Sequence, residues 1–331
     1  MDWGQILTNM VRDSIGIQAI VYALAAIGLN VHFGYTGLLN FGQAAFLAVA
    51  GYGLAAIVVN TDLPFGVGII VGLLGAVVLA LLLGVPTLRL RADYLAIVTI
   101  ASAEIVRLLA RSVSLREYFG GSDGLQGFDR GFYALNPLPE GSYGIGRIKF
   151  GERESFIIIV GWLTVALAVL IVYLLMRSPW GRVLKGIRED EDAVRSLGKN
   201  VYSYKMQSLV IGGVLGSLGG FVYGLGQASV QPDIFGTETT FFAYTILILG
   251  GAARVFGPVV GAVIFWAILS LTDNVLRQAF DKGLRVPGLL DTSFDIGAFR
   301  FMLIGAALML LMIYRPQGIF GDRREIALDA R

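Results

Sequence analysis

An all-α, polytopic membrane fold is predicted by three observations. The 331 residues are 56% hydrophobic and only 15% charged, with a mean hydropathy of +0.72, far from the composition of soluble domains. The apolar residues fall in runs long enough to cross a bilayer, which takes about 20 helical residues each. Finally, 44 glycines supply the small contacts by which helices pack in lipid, where no hydrophobic force acts between them.

The runs lie at 15–33, 38–59, 65–86, 94–113, 155–176, 205–226, 241–272 and 298–314, so about eight transmembrane segments are expected, some broken or re-entrant. Residues 1–14 carry one Arg and two Asp, and no small-residue cleavage site follows a short apolar core; no removable signal peptide is read. The second run is rich in Gly, Ala, Asn and Gln up to residue 53. It is either a full span or a broken helix, the latter tolerated only when buried in protein or lining a cavity. The fourth run contains Glu104 and Arg107, three residues apart and therefore on one helix face. Between the fourth and fifth runs, 115–154 is Gly-rich and aromatic, and turn formers predict an irregular cap without a core of its own. It is a connection, or a contact for an external partner.

After the uncharged run to Met176 comes a charged island, Arg177 to Lys205, with seven Lys/Arg and the consecutive acids Glu189, Asp190, Glu191 and Asp192. It predicts one short helix: acids suit the positive first turn, Ala193, Val194 and Leu197 form an apolar stripe, and Gly198 is a C-terminal stop. The bland function is a topology anchor; the ordered helix design favours docking of a partner. In the sixth run Gly212, Gly216, Gly220 and Gly224 recur every four residues, a close-packing face whose neighbour lies in this chain or in another. The seventh run is interrupted by Gly250, Gly251, Arg254, Gly257 and Pro258, which predicts a helix, a bend and a second helix.

Lys/Arg density orients these elements. Arg177–Lys205 holds 7 in 29 residues and 315–331 holds 4 in 17, against 5 in 40 for 115–154 and 3 in 23 for 273–295. The denser pair is assigned to the cytoplasm. Arg89, Arg91, Arg254 and the C-terminus then face the cytoplasm, 115–154 lies outside, and the N-terminus is external if the first two segments both span.

Chemistry of other kinds finds little support. With no cysteine and one histidine, His32, disulfides, thiolate metal sites and histidine clusters are excluded, and no metal site is read. The net charge of +2 comes from loop residues and gives no support for nucleic-acid binding. Phosphate-binding G-x-x-x-x-G-K-[ST], H-E-x-x-H and G-x-S-x-G are all missing. The chain therefore reads as no enzyme, and energy must come from elsewhere. Intramembrane polar residues are functional candidates by default. Asn30, Asn40 and Gln43 flank Gly34-Tyr35-Thr36-Gly37 and read either as caps of broken helix ends or as contacts on a translocation path. Glu104 and Arg107 read as a self-neutralising pair near the outer end of their span, or as a gating contact. His32 alone supports no proton relay.

GLNVHFGYTGLLNFGQAAFLAVAGY at 28–52, TLRLRADYLAIVTIASAEIVRL at 87–108, GRVLKGIREDEDAVRSLGKNVYSYK at 181–205, ILGGAARVFGPVVGAVIF at 248–265 and YRPQGIFG at 314–321 together resemble the permease subunits of branched-chain amino acid ATP-binding cassette (ABC) transporters. They are closer to the LivM type than to its LivH sister, and the blocks cover nearly the whole chain. The resemblance implies a single permease domain over 1–331, an extracytoplasmic loop at 115–154 and a coupling loop at 177–205. Asp192 to Gly198 stands in register with the family's E-A-A-x-x-x-G coupling motif, with Asp for Glu and Val for the second Ala. Arg188, Glu189, Asp190, Glu191, Asp192, Ala193 and Gly198 are thereby implied in ATPase coupling.

The same resemblance implies a heterodimer with a LivH-like permease, two ATPases of LivG/LivF type that use ATP and Mg, and an extracytoplasmic solute-binding protein, in the bacterial inner membrane. This chain itself binds no cofactor. The solute class implied is branched-chain or related apolar amino acids; urea, short amides and a broader amino acid range are served by sister permeases. A stand-alone secondary carrier leaning on Glu104 and Arg107 is the reading from a different class.

Overall fold

Apolar runs of this length have one solution in a bilayer, because every backbone N–H and C=O must be satisfied within the protein, and helices do so locally. The computed structural model describes residues 2–61, 63–89, 92–281 and 318–320, with isolated positions between 297 and 314. Its helices are α1 (Trp3–Ile15), α2 (Ile17–Leu29), α3 (Gln43–Asn60), α4 (Phe65–Thr87), α5 (Ala92–Arg111), α6 (Arg116–Phe119), α7 (Arg130–Tyr133), α8 (Glu152–Arg177), α9 (Pro179–Glu189), α10 (Glu191–Ser196), α11 (Val201–Gln227), α12 (Thr237–Gly250) and α13 (Gly257–Asp281). Among the described residues four short strands, β1 (Leu125–Gln126), β2 (Ser142–Ile145), β3 (Ile148–Gly151) and β4 (Ser229–Val230), pair antiparallel as β1–β4 and β2–β3. The molecule is a polytopic helical membrane protein.

Among the described residues six helical paths are long and apolar enough to cross a membrane: Trp3–Tyr35, Gln43–Asn60, Phe65–Thr87, Glu152–Arg177, Val201–Gln227 and Gly257–Ala279. Among the described residues the charged α5 and the short α12 pack with these. The run expected at 298–314 lies largely outside the described residues, as do Arg91 and the tail from 321.

Two helices make the centre. Trp3–Tyr35 and Val201–Gln227 are largely buried, whereas α4 and α8 are largely exposed and face outward. Leu74 and Leu82 on α4, and Leu163 and Leu174 on α8, stay exposed, the apolar surface expected against lipid. The α2–α11 contact is built by glycine. A Cβ on Gly212 would overlap the His32 ring, one on Gly216 would overlap the Gln43 amide, and one on Gly220 would overlap the Leu47 carbonyl; Gly224 faces Val230 and Phe128. The four-residue stripe therefore packs on α2, α3 and the β1–β4 pair of this chain.

Three boundaries differ from the sequence reading. The first helical path starts at Trp3 instead of residue 15, because α1 places its polar residues on a partner: Asn9 Nδ2 donates to Asn274 Oδ1 at 2.8 Å, and Arg12 pairs with Glu154 at 2.7 Å. The second segment begins only at Gln43, preceded by a π-helix over Asn30–Tyr35 and a non-helical stretch at 37–42; from Gln43 to Asn60 it is one continuous helix. The charged island holds the short helix expected with the acids, α10, and another before it, α9, that the sequence reading did not include. Glu189 closes α9 and Asp190 stands between them, so only Glu191 and Asp192 occupy the first turn of α10. The interrupted seventh run does form a helix, a bend at 251–256 and a second helix.

Residues 115–154 add no separate core; Leu125, Phe128 and Phe132 join the main cluster. The β2–β3 hairpin stands at this end of the molecule, opposite the charged α9–α10 end. At the charged end Ile319 N–H donates to Leu249 O at 2.9 Å, so the GIF of residues 318–320 returns to the end of α12.

Candidate functional site

The charged end and the irregular stretch before α3 are one construction. α9 starts on Pro179 at its first turn, where a missing N–H costs nothing, and buries Gly181, Leu184 and Ile187 on one face. Trp180 Nε1 donates to Gln207 Oε1 at 2.8 Å, tying α9 to α11. α10 is closed at both ends. Asp190 Oδ1 accepts from Ala193 N–H at 2.9 Å, an N-cap. At the other end Gly198 has φ +74°, and its N–H donates to Arg195 O at 3.0 Å while Lys199 N–H donates to Val194 O at 3.4 Å, the Schellman pattern.

The apolar stripe of α10 divides. Val194 is buried against the chain, whereas Leu197 is 78% exposed and Ala193 is exposed beside it. Charge is arranged around them: Glu191 pairs with Arg195 at 2.8 Å and with Lys205, and Arg195 also meets Asp192 at 2.7 Å.

Arg188, in the last turn of α9, reaches inward and donates from Nη1 to Gly34 O at 2.6 Å. Gly34 lies in the π-helix, whose i→i+5 bonds leave carbonyls of the preceding α-helix irregularly served. Below it lies a buried polar seam. Thr36 Oγ1 bonds Ser208 Oγ at 2.7 Å, and Ser208 Oγ donates to Val31 O at 3.1 Å. His32 Nε2 lies 3.1 Å from Leu209 O and Nδ1 lies 3.0 Å from Asn40 Nδ2. The carbonyl requires a donor and the amide an acceptor, so the proton sits on Nε2.

The non-helical stretch is satisfied by side chains. Phe41 N–H donates to Thr99 Oγ1, Gly42 N–H to Asn40 Oδ1 and Ala44 N–H to Thr240 Oγ1, at 3.0, 2.9 and 3.0 Å. Tyr244 OH donates to Asn40 O at 3.0 Å, and its ring lies 4.7 Å from that of Phe41. Asn30 clamps the bend before α13: Ala253 N–H donates to Asn30 Oδ1 and Asn30 Nδ2 to Arg254 O, both at 2.8 Å. Within this stretch Gln43 Nε2 is buried without a hydrogen-bond partner among the described residues.

The structure thus sets Asn30 beside Gly34, the residue that Arg188 reaches, and Asn40 beside His32 and Gln43. Asn30 and Asn40 act there as clamps of irregular backbone. Glu104 and Arg107 are elsewhere, near the hairpin end. Arg107 meets Glu104 with both Nε at 2.9 Å and Nη2 at 2.6 Å, and extends Nη1 to Asp233 at 2.7 Å. Asp233, which also takes Arg111 at 3.1 Å, ties α5 to the entry of α12. Thr99, Ser208, Thr240, Tyr244 and Asp233 were not singled out by the sequence. Thr99, Ser208 and Tyr244 are polar groups inside apolar runs and Thr240 borders one, and that was the available signal.

A cavity of about 320 Å³ opens between the α9–α10 pair, the 36–38 stretch, the α4–α5 turn and the start of α11; Thr36, Leu38, Thr87, Leu95, Ile187, Arg188, Glu191 and Lys205 are among its walls. Its size suits a small-molecule site.

Residues 12–290 match the family model described as branched-chain amino acid transport system / permease component. The chain is 31% identical over 315 residues to the high-affinity branched-chain amino acid transport system permease protein LivM of Escherichia coli K12, covering 92% of this chain and 69% of that protein. It is 26% identical over 344 residues to the probable LivM permease of Methanocaldococcus jannaschii, with 92% and 91% covered. Identity to the LivH permease of E. coli K12 is 23% over 311 residues, with 91% of each covered. A model matched over most of the chain, carried by a polytopic helical fold, shows that the chain belongs to the branched-chain amino acid transport system permease family, of the LivM type.

Proposed function

We propose that this chain is one of two permease subunits of an ATP-driven importer of branched-chain or related apolar amino acids. Its partners are a LivH-like permease, two separate ATPases that use ATP and Mg, and a solute-binding protein on the far side of the membrane. The charged α9–α10 end and the C-terminus face the cytoplasm of a bacterial inner membrane, and the loop at 115–154 faces out. The chain is a transport subunit and holds no cofactor.

The single observation that carries this reading is the bond from Arg188 to Gly34 O. A surface helix pair that exposes Ala193 and Leu197 to a partner is joined, through one guanidinium, to the irregular buried stretch that Asn30 clamps to the α12–α13 bend. Force applied to α10 thereby reaches the non-helical stretch before α3 and the α12–α13 bend, irregular backbone of the kind that forms solute sites in transporters. Gly198 and Asp192 preserve the shape and charge of the docking helix; Glu189 and Asp190 set its junction with α9.

Reconstitution of the full assembly tests this. Arg188→Ala is expected to leave assembly intact and to lower solute-stimulated ATPase and uptake by about tenfold, while the isolated chain shows no gradient-driven flux. Full coupling in Arg188→Ala, or flux from the chain alone, would sink the proposal.

A further inference from the structure

Four aliphatic side chains and three opposite or complementary charges share the cavity behind α9 and α10. Leu38, Leu88, Leu95 and Ile187 give it an apolar wall, and Arg188, Lys205 and Glu191 stand among them with the hydroxyls of Thr36 and Thr87. Arg188 spends one N–H on Gly34 O, and a guanidinium has further donors in a fork suited to a carboxylate. Glu191 accepts from Lys205 and Arg195, and a carboxylate has lone-pair sites beyond two. An anion alone would be opposed by Glu191, and an apolar molecule would shut the remaining donors of Arg188 and the remaining lone pairs of Glu191 away from water. The set matches a zwitterion bearing a branched aliphatic side chain.

We infer that this cavity is a regulatory site for the transported class of amino acid, entered from the α9–α10 side: the α-carboxylate meets Arg188 and Lys205, the ammonium meets Glu191, and the side chain lies against Leu38, Leu88, Leu95 and Ile187. The inference rests on the proposed function for the identity of the solute. Its consequence follows from the walls. Ile187, Arg188 and Glu191 belong to the helix pair, Thr36 and Leu38 to the broken stretch, and Thr87 and Leu88 to the end of α4. An occupant therefore fastens elements whose relative movement couples ATPase to pathway, and accumulated amino acid slows its own import.

The experiment uses the complete transporter in nanodiscs, both faces accessible, with ATPase stimulated by saturating leucine-loaded binding protein. Raising free leucine is expected to inhibit, and leucinamide and isocaproate, which lack the carboxylate and the ammonium respectively, to be weaker by about tenfold or more. Leu88→Phe and Leu95→Phe, which fill the apolar wall, are expected to raise the half-inhibiting leucine concentration by about tenfold, each measured against its own uninhibited rate. No inhibition, isocaproate as potent as leucine, or unchanged inhibition in both variants overturns the site. If leucine-loaded binding protein fails to stimulate at all, the import reading fails instead. Equilibrium binding of tritiated leucine to the same nanodiscs, competed by the two analogues, then decides the cavity by itself. That measurement on the unmodified transporter also decides if the variants do not assemble.

Discussion

Gly220 has the Leu47 carbonyl where a side chain would begin, and Gly66 has nothing within 4 Å of that point. The two glycines therefore answer substitution in opposite ways. Gly220→Ala forces two backbones apart and is expected to destabilise by about 1–3 kcal/mol, whereas Gly66→Ala, in the first turn of α4, gains up to about 1 kcal/mol from helix propensity. Thermal unfolding of the two variants in detergent, followed by the midpoint, checks the sign of each. The four-residue recurrence of Gly212, Gly216, Gly220 and Gly224 was legible because a close approach needs a missing Cβ. What approaches was not, since Leu47 and Gln43 carry no mark of their partner. Nor does the sequence show that Asn30 spends both its amide atoms on residues 253 and 254.

At the scale of elements, α10 is a six-residue helix, too short to persist without its caps. Asp190→Ala removes the N-cap at a cost of about 1 kcal/mol, and Gly198→Ala places a side chain at φ +74°, with strain of about 1–2 kcal/mol. Both are expected to speed amide hydrogen exchange across residues 191–197 by about fivefold or more, with α9 and α11 unchanged; equal exchange in wild type and variants would show that the partner contacts of Val194 hold the helix alone. Gly198 and the acids made α10 readable in advance. α9 was not read at all, because Pro179 to Glu189 mixes cations with a narrow apolar face and lacks a glycine stop before Asp190. α1 was missed for a related reason: its polar residues look like a flank until Asn274 and Glu154 are brought beside them. The interrupted α12–α13 run was legible, since Gly250, Gly251 and Pro258 break any continuous helix.

For the whole molecule, sidedness is the property most open to a direct test, and the chain contains no cysteine. Single Lys199→Cys and Ser142→Cys variants, both at exposed positions, give an unambiguous readout in intact cells with a membrane-impermeant thiol reagent. Ser142→Cys is expected to label from outside and Lys199→Cys only after lysis; the reverse pattern overturns the assigned orientation. The stretch at 37–42 has a consequence in time. Its backbone leans on Thr240 and Tyr244, and the neighbouring Asn30 holds a carbonyl 224 residues further on. At a synthesis rate of about 5–20 residues per second, the ribosome takes roughly 10–45 s to deliver that partner. Through that interval the Ala44 N–H and the Asn40 carbonyl lack the Thr240 and Tyr244 hydroxyls that meet them in the folded chain, so the stretch at 37–42 takes its final form only after α12 has been made.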